Sequence, residues 1–268
     1  MIRDITIGQY YPSDSVIHRL DPRMKILGTV LYMISLFCLE NLPGYFLVSI
    51  FFTIVLKLSK VPFRFLVKGL RPILFLLVFT ASLTLFWTPG ELIWKWGILS
   101  ISEEGIWKAV YMALRLILLI IGSSLLTLTT TPNQLTDGLE RLLQPFHKLR
   151  VPVHEVAMMM SIALRFIPIL IEEMDKIMKA QMSRGADFES GNLLRRMKNL
   201  LPLLIPLFVS ATRRANELAY AMDARCYHGG EGRTKMKPLK YRKRDVIGYI
   251  CLAGYLILLI VVSRIIGK

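Results

Sequence analysis

Two neighbouring stretches, 153-VHEVAMMMSIALRFIPILIEEMDKIMKAQMSRG-185 and 192-NLLRRMKNLLPLLIPLFVSATRRANELAYAMDARCY-227, decide how the rest of the chain is read. In the first, Met174, Ile177, Met178 and Met182 recur on one face against Glu172, Glu173, Asp175, Lys176 and Lys179. In the second, Met197, Leu200, Leu201, Leu204, Leu207, Phe208 and Ala211 share a face, with Arg213, Arg214, Glu217 and Asp223 on the polar side. This is helical spacing, and it predicts long amphipathic helices over Val153–Gly185 and Asn192–Tyr227. Pro168 in one, and Pro202 and Pro206 in the other, are expected to bend them. Each ends in an arginine between small residues, Ser183-Arg184-Gly185 and Ala224-Arg225-Cys226. A cation there meets the negative end of the helix dipole, and Gly185 is a natural stop. Two copies of one ending also suit a docking role. Small neighbours let a helix end enter a groove, and arginine offers a planar five-donor head.

Outward from this pair the chain is membrane. The 268 residues are 54% hydrophobic, more than the 45–50% of a typical soluble domain, and the apolar residues cluster in runs. Ile26–Leu39 and Tyr45–Leu56, separated by the turn Glu40–Gly44, read as two short spans rather than one. Pro72–Trp87, Ala109–Leu128 and Val246–Val262 are the other spans. Lys57–Arg71 is a cationic loop with amphipathic character. Thr88–Lys108 is a mixed-charge connector holding Trp94, Trp96 and Trp107 just after Trp87, which suggests an interfacial aromatic belt. Gln134–Leu149 is a short amphipathic helix. Asp21 before Pro22 starts the first helix, Asp as cap and Pro at the first helical position. Met1–Lys25 has no apolar core of its own, so the first span is expected to direct insertion.

The net charge is +15, and its distribution orients the chain. Lysine and arginine crowd the amino terminus, the Lys57–Arg71 loop and Thr129–Asp245, while the Glu40–Gly44 turn has neither. Five spans with amino terminus and long insert both cytoplasmic satisfy every loop. Val153–Ile171 is apolar enough to pass for a span, but crossing there would carry the basic segment outside. The expected organisation is an arm (1–25), transmembrane helices 1–4 (26–128), a cytoplasmic coupling domain (129–245) and a last transmembrane helix (246–268). The fold class is an all-α, multi-pass cell-membrane protein.

The chemistry excludes more than it offers. Gly229–Lys235 is glycine-rich but lacks the phosphate-loop ending. The four histidines show no ligand spacing and the three cysteines no CxxC pair, so no metal or other cofactor is expected. No module with basic and aromatic residues interleaved calls for nucleic acid. Glu172-Glu173 raises the alternative of a membrane enzyme resembling an intramembrane protease. Its partner groups are missing, and surface pairs Glu172–Lys176 and Asp175–Lys179 account for the charges. A conventional ABC permease is a second alternative, weakened by the lack of a polar line in the spans.

The chain resembles the transmembrane T component (EcfT) of energy-coupling factor transporters, ABC-type importers of vitamins and trace metals. The resemblance rests on His18–Lys25, the five-span arrangement, Leu164-Arg165-Phe166-Ile167-Pro168, Lys179–Phe188 with its Ser183-Arg184-Gly185, and Met222-Asp223-Ala224-Arg225-Cys226-Tyr227. The family's usual Ala-Arg-Gly is altered to Ser183 in one copy and Cys226 in the other. The resemblance implies a non-catalytic subunit with two long, crossed coupling helices. Their ends, Ser183, Arg184 and Gly185 and Ala224, Arg225 and Cys226, would fit grooves on two ABC-type ATPase subunits. The same scaffold would hold, among membrane lipids, a small S component that binds the substrate, a vitamin.

Overall fold

The computed structural model describes residues 10–39, 41–89, 92–96, 99–145, 152–186, 188, 193–229, 236 and 238–266. Glu40, Phe146, His147, Asp187 and residues 230–235 of the glycine-rich segment lie outside that set, as do the side chains of Trp94, Trp96 and Met197. The chain is an all-α membrane protein, with one small addition. The Thr88–Lys108 connector, read from the sequence without a strand, contains an antiparallel hairpin of β1 (Leu92–Trp96) and β2 (Leu99–Ser102), pairing Trp94 with Ile101 and Trp96 with Leu99. The chain forms two compact units. Unit 1 is Met1–Leu142 with Leu239–Lys268, and unit 2 is Leu143–Pro238.

Unit 1 holds α1 (Pro22–Phe37), α2 (Leu42–Ser59), α3 (Phe63–Leu70), α4 (Leu74–Trp87), α5 (Glu103–Thr129), α6 (Pro132–Leu143, to its penultimate residue) and α9 (Lys243–Ile266). The cationic loop after α2 is therefore partly helix, α3, joined to α4 by a single 3-10 turn. Helix α5 starts six residues before the expected span because Ser102 caps it, its Oγ accepting from the Gly105 N–H at 3.0 Å. Glu103 and Glu104 then sit on the positive end of the helix dipole. Thr131 and Gln134 form a reciprocal capping box at the start of α6, each side chain accepting the other's backbone N–H.

The core of unit 1 gathers Tyr32, Leu36, Val48, Phe52, Ile121, Leu125, Leu252 and Tyr255 from α1, α2, α5 and α9. Gly122 lies so close to the Tyr32 ring that a side chain there would collide with it. Arg115 of α5 donates to the Tyr45 hydroxyl at 3.1 Å and to the Leu39 carbonyl at 2.9 Å. Arg115 thus ties α5 to the chain just after α1.

A polar knot joins the starts of α1 and α9. Asp21 caps α1, accepting from the Arg23 N–H at 2.9 Å. The buried Asp245 carboxylate accepts the Asp21 N–H and the Arg242 N–H, both at 2.7 Å. One side chain therefore satisfies the N–H of the residue before each of two helices, and Asp21 lies 224 residues from Asp245. Arg23 lies 4.6 Å from the Tyr241 ring centroid and donates to the Leu239 carbonyl at 2.9 Å. Lys25 donates to the carbonyls of His18 and Thr129 at 3.1 and 2.9 Å. In the arm, burial pushes the His18 imidazole below its ordinary value. The neutral ring fits its partners: Nε2–H donates to the Tyr11 carbonyl and Nδ1 accepts from the Ser15 hydroxyl.

Four helices among the described residues are long and apolar enough to cross a membrane: α2, α5, α9 and the first helix of unit 2, α7 (Val153–Ser183). The first three are expected spans; α7 is the helix that the charge rule places outside the bilayer. Helix α4, with 14 residues, is about 21 Å long and short of a ~30 Å hydrocarbon core. None of its side chains is buried.

Candidate functional site

Unit 2 is built on α7 and α8 (Leu193–Asp223), 31 residues each and packed on one another. Both keep the expected prolines inside: Pro168, Pro202 and Pro206. Pro206 has no N–H to give to the Pro202 carbonyl, and the Gln181 amide of α7 approaches that freed oxygen at 3.5 Å. A cavity of about 260 Å³ between the helices is lined by Ile162, Phe166, Leu170, Ala215 and Leu218, with Arg214 at its edge.

The two helix ends have the same construction. At the end of α7, the Gly185 N–H donates to the Met182 carbonyl and the Ala186 N–H to the Gln181 carbonyl, both at 3.0 Å. At the end of α8, the Cys226 N–H donates to the Asp223 carbonyl at 2.9 Å and the Tyr227 N–H to the Met222 carbonyl at 3.1 Å. Each is a Schellman motif, and each requires a left-handed residue just past the cap. Gly185 supplies it at φ +86° and Cys226 at φ +55°. Arg184 and Arg225 occupy the same cap position. Both are exposed, and neither forms an ion pair among the described residues. Ser183 donates its hydroxyl back to the Lys179 carbonyl at 3.1 Å, and His228 Nδ1–H donates to the Cys226 carbonyl at 2.8 Å. Ser183, Gly185, Ala224 and Cys226 are exposed as well. The cysteine in place of glycine thus leaves the backbone geometry of the ending intact.

One feature of unit 2 had no signal in the sequence. Glu173 accepts from Arg214 across α7 and α8 at 3.0 Å. The expected pairs within α7, Glu172–Lys176 and Asp175–Lys179, are absent from the ion pairs among the described residues. An exposed i,i+4 pair gains only about 0.3–0.5 kcal/mol, little enough that such a pair forms at Glu104–Lys108 and not at these two positions. Glu173 instead meets an arginine 41 residues away. Spacing within one helix says nothing about charges brought together from two.

The apolar faces of unit 2 are open. Among the described residues only Val153, Ala157 and Leu203 are buried hydrophobics there. Met159, Met160 and Met182 of α7 and Leu204, Ile205, Phe208 and Val209 of α8 are exposed.

The family described as CbiQ, cobalt transport protein, matches residues 13–236. The energy-coupling factor transporter transmembrane protein EcfT of Clostridium kluyveri is 55% identical over 99% of this chain and 98% of its own length. The protein of that name from Ruminiclostridium cellulolyticum is 57% identical over 92% of each chain, and that of Bacillus subtilis 48% identical over 97% and 99%.

Proposed function

Since the chain belongs to the CbiQ family as an energy-coupling factor transporter transmembrane component of the EcfT type, we propose that it is the non-catalytic coupling subunit of an ATP-driven vitamin importer. It carries no ATPase of its own. Two ABC-type ATPase subunits hydrolyse ATP, a small membrane S component binds the substrate, and this chain links them. It is multi-pass, with its amino terminus and the coupling domain, 129–245, in the cytoplasm. The distribution of lysine and arginine supports that orientation.

The observation that carries the reading is the pair of matched helix ends. Arg184, between Ser183 and Gly185, enters a groove on one ATPase, and Arg225, between Ala224 and Cys226, enters the equivalent groove on the other. The cap fixes the backbone at each arginine, so docking has only the side chain left to order, at about 0.5–1.5 kcal/mol. It presents five donors to the carboxylates or carbonyls of a groove. When ATP draws the ATPases together, the ends move with them, and the paired α7 and α8 transmit the motion to the S component. The open faces of Leu204, Ile205, Phe208 and Val209, with the methionines of α7, support the S-component half of the reading. Flexible thioether side chains adapt to more than one partner.

The test is charge reversal at both ends. Arg184→Glu with Arg225→Glu is expected to abolish co-purification of the ATPase subunits and transport, with the protein still in the membrane at normal yield. Normal complex yield and transport in that double variant would overturn the docking role.

A further inference from the structure

Unit 1 contains a cavity of about 600 Å³ between α1, α2, α5 and α9, within the 300–1,000 Å³ of ordinary ligand pockets. Gly28, Gly248 and Gly254 line it, but at Gly248 the Met24 side chain takes the space, and Gly254 is the position that leaves it open. At Gly254 a Cβ would meet nothing within 4 Å. The remaining lining is almost wholly apolar, from Ile50, Ile54 and Leu58 on α2 to Ile247 and Leu258 on α9. From Ile247 to Leu258 the slot runs about 17 Å along α9, against about 15 Å for one leaflet of a ~30 Å hydrocarbon core.

One end of the slot is cationic. Lys25 and Arg244 line it there. The Lys25 ammonium is committed to the carbonyls of His18 and Thr129. Arg244 is exposed and forms no ion pair among the described residues. It stands in the basic run Lys240–Arg244, at the level where α9 leaves the apolar region. An apolar slot one leaflet long with a cation at its mouth matches an amphiphile with an anionic head. We propose that this slot is a binding site for one anionic phospholipid. An acyl chain lies along the face of α9 formed by Ile247, Cys251, Gly254 and Leu258, and the phosphate is held at Arg244. The proposal rests on the membrane placement of unit 1 and is independent of the arginines of unit 2.

The full-length chain, purified in mild detergent, is titrated with phosphatidylglycerol and with phosphatidylcholine, and bound lipid is counted by native mass spectrometry. The wild type is expected to retain one phosphatidylglycerol in preference to phosphatidylcholine. Arg244→Gln lowers that preference about fivefold, the effect of one cation near a membrane surface. Gly254→Phe fills the slot and loses the lipid, whereas Gly254→Ala keeps it. Equal retention of phosphatidylglycerol by the wild type and Gly254→Phe would overturn the proposal. So would an unchanged headgroup preference in Arg244→Gln, which alters only an exposed side chain and needs no repacking. Release of the lipid when the other transporter subunits are added would overturn it too, because a protein segment would then be the slot's occupant.

Discussion

The two units differ in what holds their key charged groups. In unit 1 the buried Asp245 serves two helix starts, Lys25 ends on two backbone carbonyls, and Arg115 ends on Tyr45 and Leu39. Its apolar side chains build a core, and those left outside on α4 and α9 have lipid to cover them. In unit 2 the cap arginines are exposed, and Leu204, Ile205, Phe208 and Val209 lie open on a helix whose polar side carries Arg213 and Glu217. Asp245, Lys25 and Arg115 of unit 1 are held by backbone groups of the chain itself. The cap arginines and the open apolar face of unit 2 are defined by what covers them. The same kind of substitution should therefore be damaging in unit 1 and mild in unit 2.

The largest effect is expected at Asp245. Asp245→Ala removes the acceptor of two backbone N–H groups, at Asp21 and Arg242. A hydrogen bond to a charged group contributes about 1.5–3 kcal/mol, so the loss should be about 3 kcal/mol. Thermal unfolding in detergent measures it as a lowered midpoint. A cost below about 1 kcal/mol would mean that water reaches the knot, and the contrast between the units would fail.

Glu173→Ala makes the corresponding change in unit 2. The Glu173 and Arg214 side chains are 26% and 36% exposed, so solvent screens the pair, and the expected loss is about 1 kcal/mol or less. Glu172→Gln combined with Glu173→Gln should retain most transport. Complete loss of transport with the complex intact would instead give these carboxylates a chemical role.

What the sequence made legible follows the same division. Long runs with strong periodicity gave α2, α5, α7, α8 and α9, because apolar spacing is a local signal. The Arg184 and Arg225 endings were visible because capping is local too. The Asp245 bridge was not: it joins residues 224 apart, and an aspartate in the first turn of a helix looks the same whether it caps one helix or two. Glu173 received no partner from the sequence for the same reason, its partner Arg214 lying on another helix. The hairpin Leu92–Ser102 was hidden by its charges and tryptophans, and its alternation is too short to stand out from a loop.

The smallest effect concerns the one place where the matched endings differ. Gly185 and Cys226 hold the same left-handed position, but only glycine adopts it without steric cost. For an L-residue that conformation costs roughly 1–2 kcal/mol. Glycine returns part of this through its greater freedom in the unfolded chain. Cys226→Gly should therefore stabilise the end of α8 by about 0.5–1 kcal/mol. Gly185→Ala should destabilise the end of α7 by a similar amount, through the backbone alone, because a Cβ there meets nothing within 4 Å. Amide hydrogen exchange at Cys226 and Tyr227, and at Gly185 and Ala186, reads both changes at the N–H groups that close the motifs. Retention of the ATPase subunits by Cys226→Gly would assign the docking ending to backbone shape and the arginine, with the thiol dispensable. If exchange slows but the subunits are lost, the cysteine side chain itself makes the contact, and the two endings are alike in geometry but not in partner.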